Sequence, residues 1–311
     1  MVGIEQLVLE HSRTLYHAMM ISTGTRRLGA PRTLLSQDPV LLTSRPTTRL
    51  FSSGPMCYED SSTPPTKTLN PRWLSDLKTR LGKCIQFGMN DTQTTAAGLL
   101  LAEVTRDWRS LLAGSDGYLT HPLRAGISSV PIDWGDQDAM GHVNNVQYVR
   151  FCETSRTNWT RKIGDHYDRP HKKQWDEMLT NKSYGLILKS IKVDYKFPME
   201  WPDKISAYHK IRVMPKETDS SMLLDVMILS EDKQRIAAKA EEDVVVYNYK
   251  AGKKSTLPDY MLTQFKRQFE EQEVAKEQNA QRVREILGQV RALEQETWDR
   301  EDAKEDLGSA T

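Results

Sequence analysis

The feature that most constrains this chain is a change in the period of its apolar residues near Pro122. Before it, Trp73, Leu74, Leu77 and Leu81 recur at steps of three and four, and Ala97, Leu100, Leu101, Val104, Trp108, Leu111 and Leu112 share one face in the same way. Steps of that size put side chains on one side of an α-helix. Two helices are therefore expected, the first stopped by Gly82, the second opening near Asp91 and ending with Gly114 as its left-handed residue. After Pro122 the period falls to two. A first strand is expected over Arg124–Ile132, a second around Ile191, Val193 and Tyr195, then Ile205–Val213, Met222–Ile228 and a long one over Ile236–Tyr247. Turn-forming residues such as Trp201-Pro202-Asp203 and Glu231-Asp232-Lys233 separate them, and connections so short join antiparallel neighbours.

One helix interrupts these strands. Asn144 or Asn145 caps its start, Val149, Cys152, Ser155 and Trp159 give it a small-to-apolar buried stripe, and Gly164 ends it. The order is strand, helix, then four strands, and a strongly curved antiparallel sheet around a helix with small inward residues buries both elements. The fold class is α+β.

A chain of 311 residues has room for one such core with extensions. The expected division is 1–66 as a transit peptide and disordered linker, 67–120 as a helical extension, 121–258 as the sheet-and-helix domain, and 259–311 as a charged C-terminal helix. The first segment has no lysine, yet Arg13, Arg26, Arg27, Arg32, Arg45 and Arg49 stand among many Ser and Thr, and Asp38 is the only acid between His11 and Tyr58. That composition belongs to mitochondrial transit peptides and predicts a matrix location. Arg49-Leu50-Phe51-Ser52-Ser53 resembles a matrix-peptidase site, whereas Glu5 and Glu10 interrupt the cationic face; Pro64-Pro65 closes the linker. The helices of 67–120 are expected to pack on the following domain rather than serve as a lid or partner dock. Past Pro258, Leu262, Phe265 and Phe269 continue onto the core, and Val283, Ile286, Leu287, Val290 and Leu293 form a stripe that suits a docking helix or a solvated one.

Charge and cysteine usage exclude several classes. Lys and Arg number 43 against 42 Asp and Glu, a net charge of +1, so nucleic-acid binding through overall basicity is not expected. Cys57, Cys84 and Cys152 are odd in number and far apart, which gives no disulfide framework and no zinc spacing. No apolar run approaches the ~18 residues that span a bilayer.

The densest chemistry lies between the first strand and the helix, in Trp134-Gly135-Asp136-Gln137-Asp138-Ala139-Met140-Gly141-His142-Val143-Asn144-Asn145-Val146-Gln147-Tyr148. A helix start offers unpaired N–H groups and about half a positive charge, which stabilise an oxyanion. A neighbouring carboxylate can attack the same carbonyl carbon or activate water to do so. Together they suit ester or thioester hydrolysis. A calcium loop is disfavoured because Met140 stands where an oxygen ligand is needed and Gln147 where a bidentate Glu is required, and His142 lacks a second zinc ligand at suitable spacing. Neither a Gly-x-Ser-x-Gly elbow nor a P-loop is present. Cys152 reads as helix core.

The run Asp138-Ala139-Met140-Gly141-His142-Val143-Asn144-Asn145, with Asp136 before it and Tyr148 after it, resembles the active-site segment of hot-dog-fold acyl thioesterases of the 4-hydroxybenzoyl-CoA and acyl-ACP types. The resemblance spans about 122–258 and implies a hot-dog fold with helical N- and C-terminal extensions. It implies that Asp138 is the catalytic carboxylate and that the Asn145 N–H polarises the thioester carbonyl. His142, Gly141 and Asn144 would orient substrate or water, Tyr148 would line the pocket, and Glu153 is a further candidate because some hot-dog enzymes carry their carboxylate on the helix. The substrate implied is an acyl-CoA or acyl-ACP, the assembly a homodimer or higher homo-oligomer, with no metal or cofactor. With the arginine-rich start, the expectation is a fungal mitochondrial member. Two other readings stay open: a catalytically silent hot-dog subunit of a mitochondrial assembly, and a dehydratase or thioesterase of a secondary-metabolite pathway.

Overall fold

The computed structural model describes residues 69–70 and 72–305, so the segment read as a transit peptide and linker lies outside the described residues. Two helices come first, α1 (Trp73–Gln86) and α2 (Asp91–Arg109). The Asn90 side chain caps α2, accepting the Gln93 N–H while Gln93 reaches back to the Asn90 N–H, so the start near Asp91 follows from a reciprocal capping box. Gly82 does not stop α1; the helix continues because Cys84, fully buried, extends the same face. Nor is Gly114 left-handed. It closes a π-helical turn, Ser110–Gly114, and the glycine at positive φ (+90°) is Gly117.

The strands are β1 (Ile127–Pro131), β2 (Tyr184–Tyr195), β3 (Lys204–Ile211), β4 (Ser221–Ser230), β5 (Arg235–Asn248) and a short β6 (Lys253–Lys254). They form one antiparallel sheet in the order β1-β3-β4-β5-β2, with β6 paired to the end of β5. The first strand is shorter than its apolar pattern suggests because Ser129 sits at φ +49°, within a register shift, and gives its N–H to Ser206 Oγ. Between β1 and β2 runs α3 (Asn145–Lys162), followed by a π-helical turn at Ile163–Tyr167 and a short α4 (Lys172–Glu177). The chain therefore has the expected hot-dog arrangement, one central helix against an antiparallel sheet, with added helices.

The buried stripe of α3 begins at Tyr148 rather than Val149 and continues through Cys152, Ser155 and Trp159. It packs on alternate residues of β3, β4 and β5, among them Ile205, Ala207, Val226, Ile228, Ala238 and Ala240. Small side chains let the helix come close. At Gly126, a Cβ would stand 2.0 Å from Ser155 Oγ, so this position beside β1 admits no side chain. Gly164 has a packing reason as well: it lies inside the π-helical turn, where a Cβ would meet the Trp175 Cβ at 2.7 Å.

The opposite face of the sheet is also covered. Tyr208, Met227 and Leu229 point away from α3 and join a cluster built from α1, α2 and the final helix, α5 (Asp259–Glu296). With 38 residues, α5 is roughly 57 Å long, and its two halves do different jobs. Near its start, Phe265 stacks on Trp159 with ring centres 5.8 Å apart and meets Trp175 edge-on. Farther along, Val283, Ile286, Val290 and Leu293 are buried against α1 and α2. Arg80 holds Glu294 through two hydrogen bonds, and Arg282 holds Glu103 in the same way. The C-terminal stripe is thus a docking surface for this chain's own N-terminal helices. Midway, Gln272 reads the end of β3 like a further strand residue, accepting the Ile211 N–H and donating to the Ile211 carbonyl, each at 3.0 Å.

Candidate active site

Residues 137–143 form a tight hairpin at the entrance to α3. Gln137 and Val143 are bridged, and the Asp138 N–H donates to the His142 carbonyl at 2.8 Å. The tip closes with the Gly141 N–H on the Asp138 carbonyl at 3.1 Å, and Gly141 has φ +77°, a conformation costly for any residue with a Cβ. Asp138 Oδ1 accepts the N–H groups of Met140 (2.8 Å) and His142 (3.3 Å). Its carboxylate is therefore oriented by the backbone of its own turn, and Asp138 is exposed.

The hairpin passes directly into the helix. The Asn144 N–H donates to the Asp136 carbonyl, Asn144 Oδ1 accepts the Val146 N–H at 3.1 Å, and the Asn144 carbonyl accepts the Gln147 N–H. Asn144 is thus the cap. The Asn145 N–H, the first of α3, has no acceptor among the described residues, so one amide at the positive end of the helix remains available to an incoming oxygen.

The connection from β2 to β3 braces this junction. Val143 N–H donates to the Met199 carbonyl, Trp201 N–H to Gln137 Oε1, and Tyr195 Oη to the Asn145 carbonyl. His142 Nε2 stands 3.5 Å from Glu200 Oε1, with both side chains open to solvent. Tyr148 lies beneath the site rather than along its surface, with 2% of its area exposed. Its hydroxyl donates to the Phe197 carbonyl at 3.5 Å and accepts the Met199 N–H at 3.3 Å; burial pushes the phenol pKa up. Glu153 is set apart. It lines a groove of about 340 Å³ on the β2 side of α3, with Arg156, Met178, Leu186 and Tyr249.

The structure thus brings Asp138, Gly141, His142, Asn144 and Asn145 into one loop-and-helix junction, and places Tyr148 below it and Glu153 away from it. Around the junction are Trp134, Met140, Val146, Tyr195 and Trp201, large apolar side chains left exposed. Cys152 is no nucleophile, since burial lifts its thiol pKa to about 12. Among the described residues no group of three His, Cys, Asp or Glu side chains is placed to hold a metal ion.

A second polar constellation lies deeper and is not apparent from the motif. Ser155 Oγ is 3.0 Å from His209 Nδ1, His209 Nε2 is 3.3 Å from Glu242 Oε2, and Arg156 donates to Glu242 Oε1 at 2.5 Å. The connectivity is that of a nucleophile, base and acid, but Ser155, His209 and Glu242 are sealed, each 1% exposed or less, and Ser155 also donates to the Ala207 carbonyl. No substrate carbonyl reaches Ser155, so the set pins α3 to β3 and β5. One sequence signal existed: Glu242 falls on the inward-facing positions of β5, between Ala240 and Val244.

Residues 132–265 match the family model described as the Thioesterase-like superfamily. No curated protein matches the chain. Among solved structures, a thioesterase from Thermus thermophilus complexed with coenzyme A and Zn is 19% identical, over 46% of this chain and 92% of that one, with a TM-score of 0.37. A putative thioesterase from Pseudomonas aeruginosa is 22% identical, over 46% and 97%, with a TM-score of 0.37. The DHNA-CoA thioesterase from Staphylococcus aureus is 16% identical, over 54% and 92%, with a TM-score of 0.35. The family match contains β2 to β6, α3, the hairpin and the first turns of α5, and leaves α1, α2 and most of α5 outside it.

Proposed function

We propose that the protein is an acyl thioesterase acting on an acyl-CoA or acyl-ACP. The observation that carries this reading is the junction itself: a backbone-oriented carboxylate, Asp138, on the hairpin that leads into an unengaged helix-terminal amide, Asn145. The substrate carbonyl oxygen accepts the Asn145 N–H, and the field of α3 stabilises the negative charge that grows there. Asp138 then either takes a proton from water as the water attacks the carbonyl carbon, or attacks directly to form an anhydride that water cleaves. Either route breaks the C–S bond and yields a carboxylate and a free thiol. His142 and Asn144 orient the reactants, and Gly141 permits the turn.

The exposed apolar ring around the junction, together with the free edge of β2, supports a homodimer in which a second copy completes the acyl pocket. The composition of residues 1–66 supports a mitochondrial matrix location. The test is a panel of acyl-CoA and acyl-ACP substrates assayed for thiol release with wild type and Asp138→Ala. We expect hydrolysis that the substitution nearly abolishes. Turnover indifferent to it would remove Asp138 from the mechanism, and no turnover on any thioester would favour a silent subunit.

A further inference from the structure

At the end of the sheet where β4 turns into β5, a cleft of about 320 Å³ opens between that turn, the chain after β2 and α1. Its polar lining is mostly cationic: Lys78 from α1, with Lys233 and Arg235 from the turn and the start of β5. No acid lines it, and among the described residues none of the three is within ion-pair distance of a carboxylate. By contrast, the groove between β1 and α3 sets Asp133 and Asp136 among its Arg150, Arg161 and Lys162.

Like charges converging in a concavity repel one another, and partial burial deepens the cost. Lys78 is half-buried, burial pulls its pKa down, and its ammonium has a neutral partner, Gln234 Oε1, at 2.6 Å. Gln234 itself has φ +49°, an uncommon conformation for a residue with a side chain, held where the turn faces α1. Arg235 is held over the Phe197 ring, 4.1 Å from its centre, which fixes its guanidinium at the rim. Such an arrangement is compensated by an anion with several acceptor oxygens. The cleft also adjoins the candidate site through the chain: Phe197 lines it, the Phe197 carbonyl accepts the Tyr148 hydroxyl, and Trp201 bonds to the hairpin.

We propose that this cleft binds a phosphate ester and that, on the thioesterase reading, it takes the phosphorylated nucleotide end of a coenzyme A thioester. Lys78 comes from a helix outside the family match, so the extension adds a cation to the core domain's own Lys233 and Arg235. Its concave shape and volume, at the low end of small-molecule sites, fit a small anion better than the acidic surface of a carrier protein.

The test is calorimetric titration of the full chain with coenzyme A, 3′-dephospho-coenzyme A, pantetheine and inorganic phosphate, using wild type, Lys233→Ala and Arg235→Gln. Lys233 and Arg235 are exposed, so their loss leaves the fold in place, and thermal melts verify this. We expect each substitution to weaken coenzyme A about tenfold, roughly the worth of one charge-assisted contact, and to leave pantetheine unmoved. Weaker binding of the dephospho form would assign the cleft to the 3′-phosphate. Equal affinity for coenzyme A in wild type and both variants overturns the proposal, as does a carrier-protein thioester turned over by a chain that does not bind coenzyme A. Inorganic phosphate binding that the substitutions abolish, with coenzyme A unaffected, would make the occupant free phosphate and overturn the coenzyme assignment. Failure of the two readings is separable: coenzyme A binding at the cleft without hydrolysis sinks only the thioesterase, and hydrolysis with an unchanged KM in both variants sinks only the cleft.

Discussion

The two sides of the sheet are finished in different ways. On the outer side, Tyr208, Met227 and Leu229 are 1% exposed or less beneath α1, α2 and α5, and paired arginines and glutamates close the layer. On the inner side, where α3 begins, Trp134 is 72% exposed, Met140 82% and Val146 64%. Burying apolar area gains about 25 cal/mol per Å², so a cluster of large side chains left in water marks a surface completed by something else. The extensions thus cover the scaffold's back, whereas the hairpin end of the single chain stays exposed and, in our proposal, receives a substrate and a second copy.

Substitutions should therefore separate activity from stability according to side. The largest effect is expected at the hairpin: Asp138→Ala should lower kcat/KM for an acyl thioester by roughly three orders of magnitude while the protein stays folded, its melting temperature lowered only by the loss of two exposed turn hydrogen bonds. Loss of folding instead would place Asp138 in the scaffold. On the back, Ile286→Ala empties a fully buried position in the α5 layer and should cost about 2–5 kcal/mol in urea unfolding, with kcat retained by the folded protein. A large drop in kcat there would erase the distinction between the sides. Gly126→Ala forces a methyl onto Ser155 and should cost about 1–3 kcal/mol by the same measurement; an unchanged midpoint would mean α3 shifts freely on the sheet.

Smaller effects sharpen the contrast. Burial pushes the Glu242 carboxyl up, but the His209 imidazole and Arg156 guanidinium outweigh it and leave the pKa below 4.5. A carboxyl depressed in the folded state stabilises fully above its unfolded pKa, and that contribution fades as pH falls through the folded value. Urea midpoints of wild type should thus drop as the pH is lowered below about 5, and Glu242→Gln should flatten that limb. Met140→Ser, at the open end, should change the unfolding free energy by less than about 0.5 kcal/mol. Its effect belongs in sedimentation, as a shift from dimer toward monomer if the apolar ring pairs two copies.

Much of this could be read along the chain. Alternation gave β3 to β5 within two residues at each end but only the second half of β2, which begins at Tyr184, and the helix between β1 and β2 followed from an Asn cap and a small-residue stripe. Glycines misled: Gly82 lies inside α1, and Gly164 sits in a π-helical turn where Trp175 leaves no room for a side chain. Tyr148 stands in the motif like a pocket residue, and its buried ring meets the half-exposed Tyr195 and the partly buried Phe151 edge-on. The Ser155, His209 and Glu242 set draws on three elements far apart in sequence, so no spacing rule finds it.

By itself, the sequence determined the order of the main elements and that an asparagine caps the central helix, because periodicity and capping act over a handful of neighbouring residues. The tertiary structure decided which face each helix covers, that α5 closes over α1 and α2, and that Lys78 meets Lys233 and Arg235 in one cleft. Those outcomes depend on long-range burial of apolar surface, which brings distant segments together and leaves no local trace.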